Sequence, residues 1–274
     1  MLKTARKTKK LVQIGKLILL LAAVAGIVLL CVSLWEDSPS HPKLTPNDPA
    51  PQAVQPYKAT DFVQDKNGFM ACLSREYQTG IDVSEYQRDI DWDRVKAAGI
   101  DFVFIRLGSR GTTEGGLYTD TMTQAHYDGA KRAGLQVGMY FYAQAITVEE
   151  AQEEAAFVLE HMGDYHLDLP FVYDWEWGGE GSRTTGMDKE TLTQITRVFC
   201  RDIAAGGLSP MIYFNESQGL EQLDLEQLAE YPFWLALYDG NMDFPYAVDC
   251  WQYTDTGKVD GIDGKVDLNI LLLN

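Results

Sequence analysis

The sequence predicts an α/β fold built on a parallel sheet or barrel, preceded by a single N-terminal transmembrane helix. Three observations carry that expectation. From residue 80 to the C-terminus short apolar runs alternate with amphipathic stretches, the pattern of repeated βα units. Gly99, Gly134, Gly163 and Gly206 stand just past four of the amphipathic stretches, where a left-handed stop favours glycine. Ahead of all this, 19 residues from Leu17 to Trp35 carry no charge, about enough to cross a bilayer core of roughly 30 Å as a helix.

The first 16 residues form a basic segment. Lys3, Arg6, Lys7, Lys9, Lys10 and Lys16 precede the apolar span and Glu36-Asp37 follow it, which orients the N-terminus to the cytoplasm and the remainder outside. The rival is a signal peptide cleaved to give a secreted protein. Such a peptide has a shorter apolar region, about 7–15 residues, and an A-x-A-like site that is missing here. An uncleaved anchor in the cell membrane, at 17–35, is therefore the expectation.

Residues 36–79 read as an extracytoplasmic linker and pre-domain segment. Pro39, Pro42, Pro46, Pro49, Pro51 and Pro56 disfavour helix and sheet. At about 3.1 Å per residue in extended form, Pro39 to Pro56 reaches roughly 50 Å. Residues 57–79 are either more linker or a segment packed on the domain.

The domain then occupies 80–274. Strands are predicted at 80–83, 102–107, 136–142, 170–175, 209–214, 233–237, 248–253 and 266–269, with helices at 92–98, 121–133, 148–162, 189–205 and 223–230. The last three strands are joined by segments too short or too turn-rich for full helices, so the later half should depart from a regular (β/α)₈ plan.

Charge and cysteines exclude several classes of function. The formal net charge of −17 resolves into +6 on residues 1–35 and −23 on the rest, and so acidic a body is unsuited to nucleic acid. Cys72, Cys200 and Cys250 allow at most one disulfide outside the span, match no metal-site spacing, and read best as buried thiols. Nothing calls for a metal or cofactor. Asn215-Glu-Ser217 fits a glycosylation acceptor, a short pattern common by chance.

The chemistry centres on Leu169-Pro-Phe-Val-Tyr-Asp-Trp-Glu-Trp177. An apolar strand here ends in Asp174 and Glu176, two residues apart and so on one face. Within a rim of Tyr173, Trp175 and Trp177, like charge and poor solvation both raise a carboxyl pKa, and a neutral acid beside an ionised one suits glycoside hydrolysis. Asp188-x-Glu190 and Asp224-x-Glu226 repeat the spacing in polar stretches, where a helix N-terminus or solvated face explains them. Sites in parallel barrels and open α/β sheets form at strand C-terminal ends, which adds Asp82 in the first strand and Asp267 in the last. In a closed barrel those two strands are neighbours. Taken singly, Asp82 caps a turn and Asp267 bonds nearby backbone equally well.

Gly80-Ile-Asp-Val-Ser-Glu-Tyr-Gln87, followed by Ile90-Asp-Trp-Asp-Arg-Val-Lys-Ala-Ala-Gly-Ile-Asp-Phe-Val-Phe-Ile-Arg106, resembles the opening of the family 25 glycoside hydrolases, lysozymes that cleave peptidoglycan glycan. Phe171-Val-Tyr-Asp-Trp-Glu176 is similar to that family's Asp-x-Glu strand, and Trp251-Gln-Tyr-Thr254 with Gly261-Ile-Asp-Gly-Lys-Val-Asp-Leu-Asn269 to its closing motif. The resemblance implies an irregular TIM-like (β/α)₅β₃ barrel that hydrolyses the β-1,4 bond between N-acetylmuramic acid and N-acetylglucosamine. Glu176 matches the family's general acid, and Asp174, Asp82 and Asp267 match its supporting acids. Arg106 falls where the family often has a basic residue; orienting an acid, contacting sugar and pairing within the barrel all remain open for it. The glycine-rich loop 108–116 departs from the family pattern. Tyr140, Tyr142, Tyr213, Trp234 and Trp251 lie on predicted strands where aromatic faces stack on sugars or pack the core, with Tyr142 and Tyr213 nearest the strand ends. The expected partners are peptidoglycan strands and, through the anchor, the membrane. The competing readings are a catalytically silent wall-binding module on the same barrel and a chitinase-like enzyme, which would carry a longer acidic run.

Overall fold

The computed structural model describes residues 57–238 and 241–273. The predicted basic segment, the span at 17–35 and the linker as far as residue 56 lie outside them. Among the described residues no helix is long and apolar enough to cross a membrane. In chain order the elements are β1 (Phe62–Gln64), β2 (Met70–Cys72), β3 (Tyr77–Val83), α1 (Trp92–Ala97), β4 (Phe102–Arg110), β5 (Leu117–Thr119), α2 (Thr123–Ala133), β6 (Gln136–Ala143), α3 (Val148–His161), β7 (Phe171–Trp175), α4 (Lys189–Ala205), β8 (Pro210–Asn215), β9 (Phe233–Ala236), β10 (Cys250–Gly257) and β11 (Val266–Leu272).

Eight of these strands close on themselves, in the order β3, β4, β6, β7, β8, β9, β10, β11 and back to β3. From β3 to β10 every pairing is parallel, while β11 runs antiparallel to both neighbours. The result is a mixed α/β fold around a closed barrel. Local chemistry starts its helices where expected: Asp91, Thr147 and Asp188 accept hydrogen bonds from backbone N–H groups in the first turns of α1, α3 and α4. The Asp-x-Glu at 188–190 is thus a helix cap.

Two predicted details differ. The fifth helix, at 223–230, is absent; a single π-turn at Gln218–Gln222 is followed by turns in which Leu223, Leu225 and Leu228 are buried. Asp224 spends its carboxylate on Gln227, whose N–H and side-chain amide both donate to it, which favours a turn over a continued helix. Gly206 is also not the left-handed stop of α4. That conformation belongs to Gly207, at φ +93°, whereas a Cβ at Gly206 would collide with Leu159.

Period-two alternation sorts the strands into two apolar layers. Phe102, Phe104, Val172, Met211, Tyr213, Trp234, Cys250 and Leu271 pack inside the barrel. Their immediate neighbours, among them Val103, Ile105, Phe171, Tyr173, Ile212, Leu235 and Trp251, face the outer layer. Glycines at Gly80 and Gly138 make room for the Phe102 and Phe104 rings, with which a Cβ would clash. Inward positions above this apolar floor carry the polar side chains of the site. The outer layer also holds Cys200, and all three described cysteines are buried, free thiols.

The segment ahead of residue 80 is packed rather than extended. Tyr57 Oη donates to the Val248 carbonyl and accepts from its N–H, and the β1–β2 hairpin sets Phe62 edge-on to Trp251 with ring centroids 5.1 Å apart. Of the two readings left open for residues 57–79, packing on the domain holds, and the folded body includes residues from Tyr57 onward.

Loop 108–116 has an internal reason for its composition. β4 runs on to Arg110 and pairs antiparallel with β5, and Arg110 is buried with its Nε on Glu154 at 2.8 Å and its Nη1 on the Gly115 carbonyl at 2.9 Å. Arg183 donates its N–H to the Thr112 carbonyl and pairs with Glu150, lacing the loop to the one after β7. Arg110→Ala would leave Glu154 buried without its cationic partner, with only the Gln144 N–H and the Tyr173 hydroxyl still donating to it, and urea denaturation should show a loss of about 3–5 kcal/mol. A loss within about 0.5 kcal/mol would refute this role.

Candidate active site

At the C-terminal ends of the parallel strands a cavity of about 230 Å³ opens into the barrel. Asp82, Asp174, Glu176 and Asp267 all line it. Asp174 and Glu176 share a face because they are two residues apart at the end of β7. Asp267 gets there by a different route. It is near the start of β11, and only because that strand runs antiparallel does it stand level with Asp82 of β3.

The four acids are in different electrostatic situations. Asp82 Oδ2 accepts from Gln252 Nε2 at 2.9 Å and Asn269 Nδ2 at 2.8 Å. Burial raises its pKa, and those two donors oppose the rise. Asp267 is pushed up to about 9, first by burial and then by the charge of Asp82, to which it is hydrogen-bonded. The pair therefore divides its roles: Asp82, with two neutral donors, is the better placed to hold charge, and Asp267 keeps the proton between them. Asp174 is raised well above the ordinary carboxylate range, by burial and then by Glu176 and Asp82, and its Oδ1 is buried with no hydrogen-bond partner among the described residues. Glu176 is raised by burial, and its hydrogen bond with Tyr213, whose one hydroxyl proton it shares with Gln252, opposes the rise.

The aromatic wall differs from the rim of Tyr173, Trp175 and Trp177 expected beside the acids. Tyr173 and Trp175 face outward, opposite to Asp174 and Glu176: Tyr173 packs on Phe199 with centroids 4.3 Å apart, and Trp175 Nε1 donates to the Ala145 carbonyl. Trp177 is exposed. Tyr140, Tyr142, Tyr213 and Trp234, named from the sequence as candidate sugar contacts, form the wall together with Tyr238. Trp251, predicted as a sugar contact, is fully buried in the outer layer with its Nε1 on the Leu237 carbonyl. Alternation is again the cause, since Gln252 next to it takes the inward position. Trp234 lies deep, stacked on Phe104 at 4.7 Å with Nε1 donating to Asn269 Oδ1. Arg106 lines the cavity but is held by carboxylates, Nε on Asp120 at 2.7 Å and Nη2 on Glu85 at 3.2 Å, beneath the exposed ring of Tyr86.

Several residues here carried no predicted role. Gln252 links three groups, accepting from Tyr213 at 3.2 Å and Tyr238 at 2.6 Å while donating to Asp82. Gln144 Nε2 donates to the Glu176 carbonyl at 2.6 Å and Gln218 Nε2 to the Trp175 carbonyl at 2.8 Å, so two buried amides fix the strand end that bears Glu176. The spacing that paired Asp174 with Glu176 also pairs Asp267 with Asn269 and Cys250 with Gln252, and was the available signal for those two. Gln144 and Gln218 act on backbone and had no such signal. Among the described residues no group of three or more His, Cys, Asp or Glu is placed to hold a metal ion.

Residues 81–262 match the family described as Glycosyl hydrolases family 25. The chain is 31% identical over 193 residues to an autolytic lysozyme of Clostridium acetobutylicum, covering 69% of this chain and 54% of the relative. It is 31% identical over 204 residues to lysozyme M1 of Streptomyces globisporus, covering 69% and 66% respectively. The chain thus spans less than two thirds of either curated relative. A bacterial lysozyme from Streptomyces coelicolor superposes with a TM-score of 0.57 at 28% identity, over 70% of this chain and 90% of that one.

Proposed function

Because the chain belongs to the glycosyl hydrolases of family 25, we propose that it is a muramidase, hydrolysing the β-1,4 bond between N-acetylmuramic acid and N-acetylglucosamine in peptidoglycan. The observation that carries this reading is the meeting of Asp82, Asp174, Glu176 and Asp267 in one cavity, with Glu176 raised toward its protonated form. At about 230 Å³ the cavity is smaller than the roughly 300–1,000 Å³ typical of sites that enclose a whole ligand, which suits one ring of a polymer with the rest outside. Glu176 gives its proton to the departing glycosidic oxygen, and the charge held around Asp82 stabilises the oxocarbenium-like sugar left behind. Mass spectrometry of digested peptidoglycan tests the assignment: fragments ending in reducing N-acetylmuramic acid are expected. Reducing N-acetylglucosamine ends would overturn it.

Asp174 has its own part in this reading. Its orphaned, buried Oδ1 needs a polar partner, and the 2-acetamido group of the bound sugar supplies one. Oriented by Asp174, the acetamido carbonyl oxygen attacks the anomeric carbon as the leaving group departs with the Glu176 proton. Water then attacks the same carbon, loses a proton to the Glu176 carboxylate and releases the acetamido oxygen. A substrate whose muramic acid lacks the acetyl group should react at least about 10²-fold more slowly. An unchanged rate would remove this step.

The (β/α)₅β₃ scheme of the resemblance fits the chain if the π-turn at Gln218–Gln222 stands in for the fifth helix. The apolar stretch 17–35 and basic residues 1–16 support a membrane tether that holds the barrel on the outer side and confines its reach to nearby wall. Recovery of the protein from the medium, cut after residue 35, would refute the tether.

A further inference from the structure

We propose that the β1–β2 hairpin builds an additional sugar-binding groove beside the candidate active site, one that takes further sugars of the same glycan strand. This inference rests on the muramidase reading. A groove of about 420 Å³ runs between the hairpin and the rim of β10 and β11. Gln64 and Asn67 line it from the hairpin, Tyr253, Thr254 and Lys258 from the opposite wall. Tyr238 lines both this groove and the acid-lined cavity, so the two are neighbours that share one side chain. That side chain is also tied to the chemistry, its hydroxyl donating to Gln252, which donates to Asp82.

The hairpin precedes the family match at 81–262, so one wall of the groove lies outside the matched region while Tyr238, Tyr253, Thr254 and Lys258 lie within it. Its wall is fixed before any ligand arrives. Asp65 Oδ1 accepts from the N–H groups of Asn67 and Phe69, Gly68 turns the chain at φ +85°, and Phe62, Phe69 and Met70 are buried against the barrel. A preformed wall lowers the ordering cost of binding. Exposed side-chain amides, a threonine hydroxyl and a half-exposed tyrosine ring match neutral, hydroxyl-rich and amide-bearing sugars. The acid-lined cavity, by contrast, is built for charge development.

The test uses the full chain and the double variant Gln64→Ala/Asn67→Ala, which alters only exposed side chains. Substrates are a peptidoglycan tetrasaccharide, long glycan strands stripped of peptide stems, and long strands bearing them. On both kinds of long strand KM should rise about 5- to 10-fold with kcat unchanged, as for one or two lost neutral hydrogen bonds, and the tetrasaccharide should be unaffected. Thr254→Trp, which fills the groove from its other wall, should repeat the pattern. Equal losses on short and long substrates, no loss on long strands, or a loss confined to stem-bearing strands would each overturn the proposal. Should the wild-type chain show no turnover, the muramidase reading fails separately. The groove is then judged by the same comparison of dissociation constants, measured with Glu176→Gln on the two strand lengths.

Discussion

Glu176→Gln should lower the rate of reducing-end release from purified peptidoglycan by about 10²- to 10⁴-fold, the usual contribution of a positioned general acid. Glutamine keeps the size and the neutral charge of the protonated side chain, and the strand end that carries it is held independently by Gln144 and Gln218 through backbone carbonyls. The substitution therefore removes a transferable proton and little else. Loss should fall on kcat, with binding of intact strands retained. The pH profile of the wild type should agree. Burial raises Glu176, so the alkaline limb of activity should lie above the range of an ordinary glutamate, and it should disappear from whatever activity the variant retains. A variant with wild-type turnover would end the assignment of Glu176, whatever the likeness to other lysozymes.

How far this site could be read in advance depended on whether a signal was local. Asp174 and Glu176 were legible because period two is a property of three consecutive residues. The same rule, applied to the other strand face, would have set Tyr173 and Trp175 outward, left the wall to Tyr140 and Tyr142, which were already candidate sugar contacts, and put Gln252 inward in place of Trp251. The error came from treating nearness in sequence to an acid as nearness in space. Asp267 was found by its motif, yet its position at the mouth depends on β11 running antiparallel, which no residue within that strand dictates. All eight barrel strands were visible as apolar runs, whereas the fifth helix failed because Leu223, Leu225 and Leu228 bury themselves as turns, and Asp224 prefers its own side-chain bond to Gln227. The hairpin at residues 62–72 was hidden for another reason. Two three-residue strands carry almost no periodicity, and their order comes from packing on Trp251, nearly two hundred positions away in the chain.

The pairing of Asp82 with Asp267 leads to an expected gain in stability when the site is disabled. Asp267→Asn should raise the melting temperature at pH 7 by about 4–8 °C while lowering activity. In the unfolded chain Asp267 titrates near 3.8, and in the folded protein near 9. Below the lower value both states hold the proton, so its titration costs the folded state nothing. As pH rises from there towards 9, only the unfolded chain releases the proton, and folding stability drains away. At pH 7 the penalty is on the order of 2 kcal/mol after discounting for the coupling to Asp82. Asparagine cannot ionise in either state, and its amide can donate to Asp82 as the protonated carboxyl does. The variant's advantage should therefore be small at pH 4 and widen steadily to pH 8, which a series of thermal melts across that range would show. An advantage independent of pH would mean that repacking and not protonation is responsible. A variant less stable than the wild type at pH 7 would show that Asp82 and Asp267 do not share a proton, and with it would go the division of charge from which the proposed mechanism proceeds.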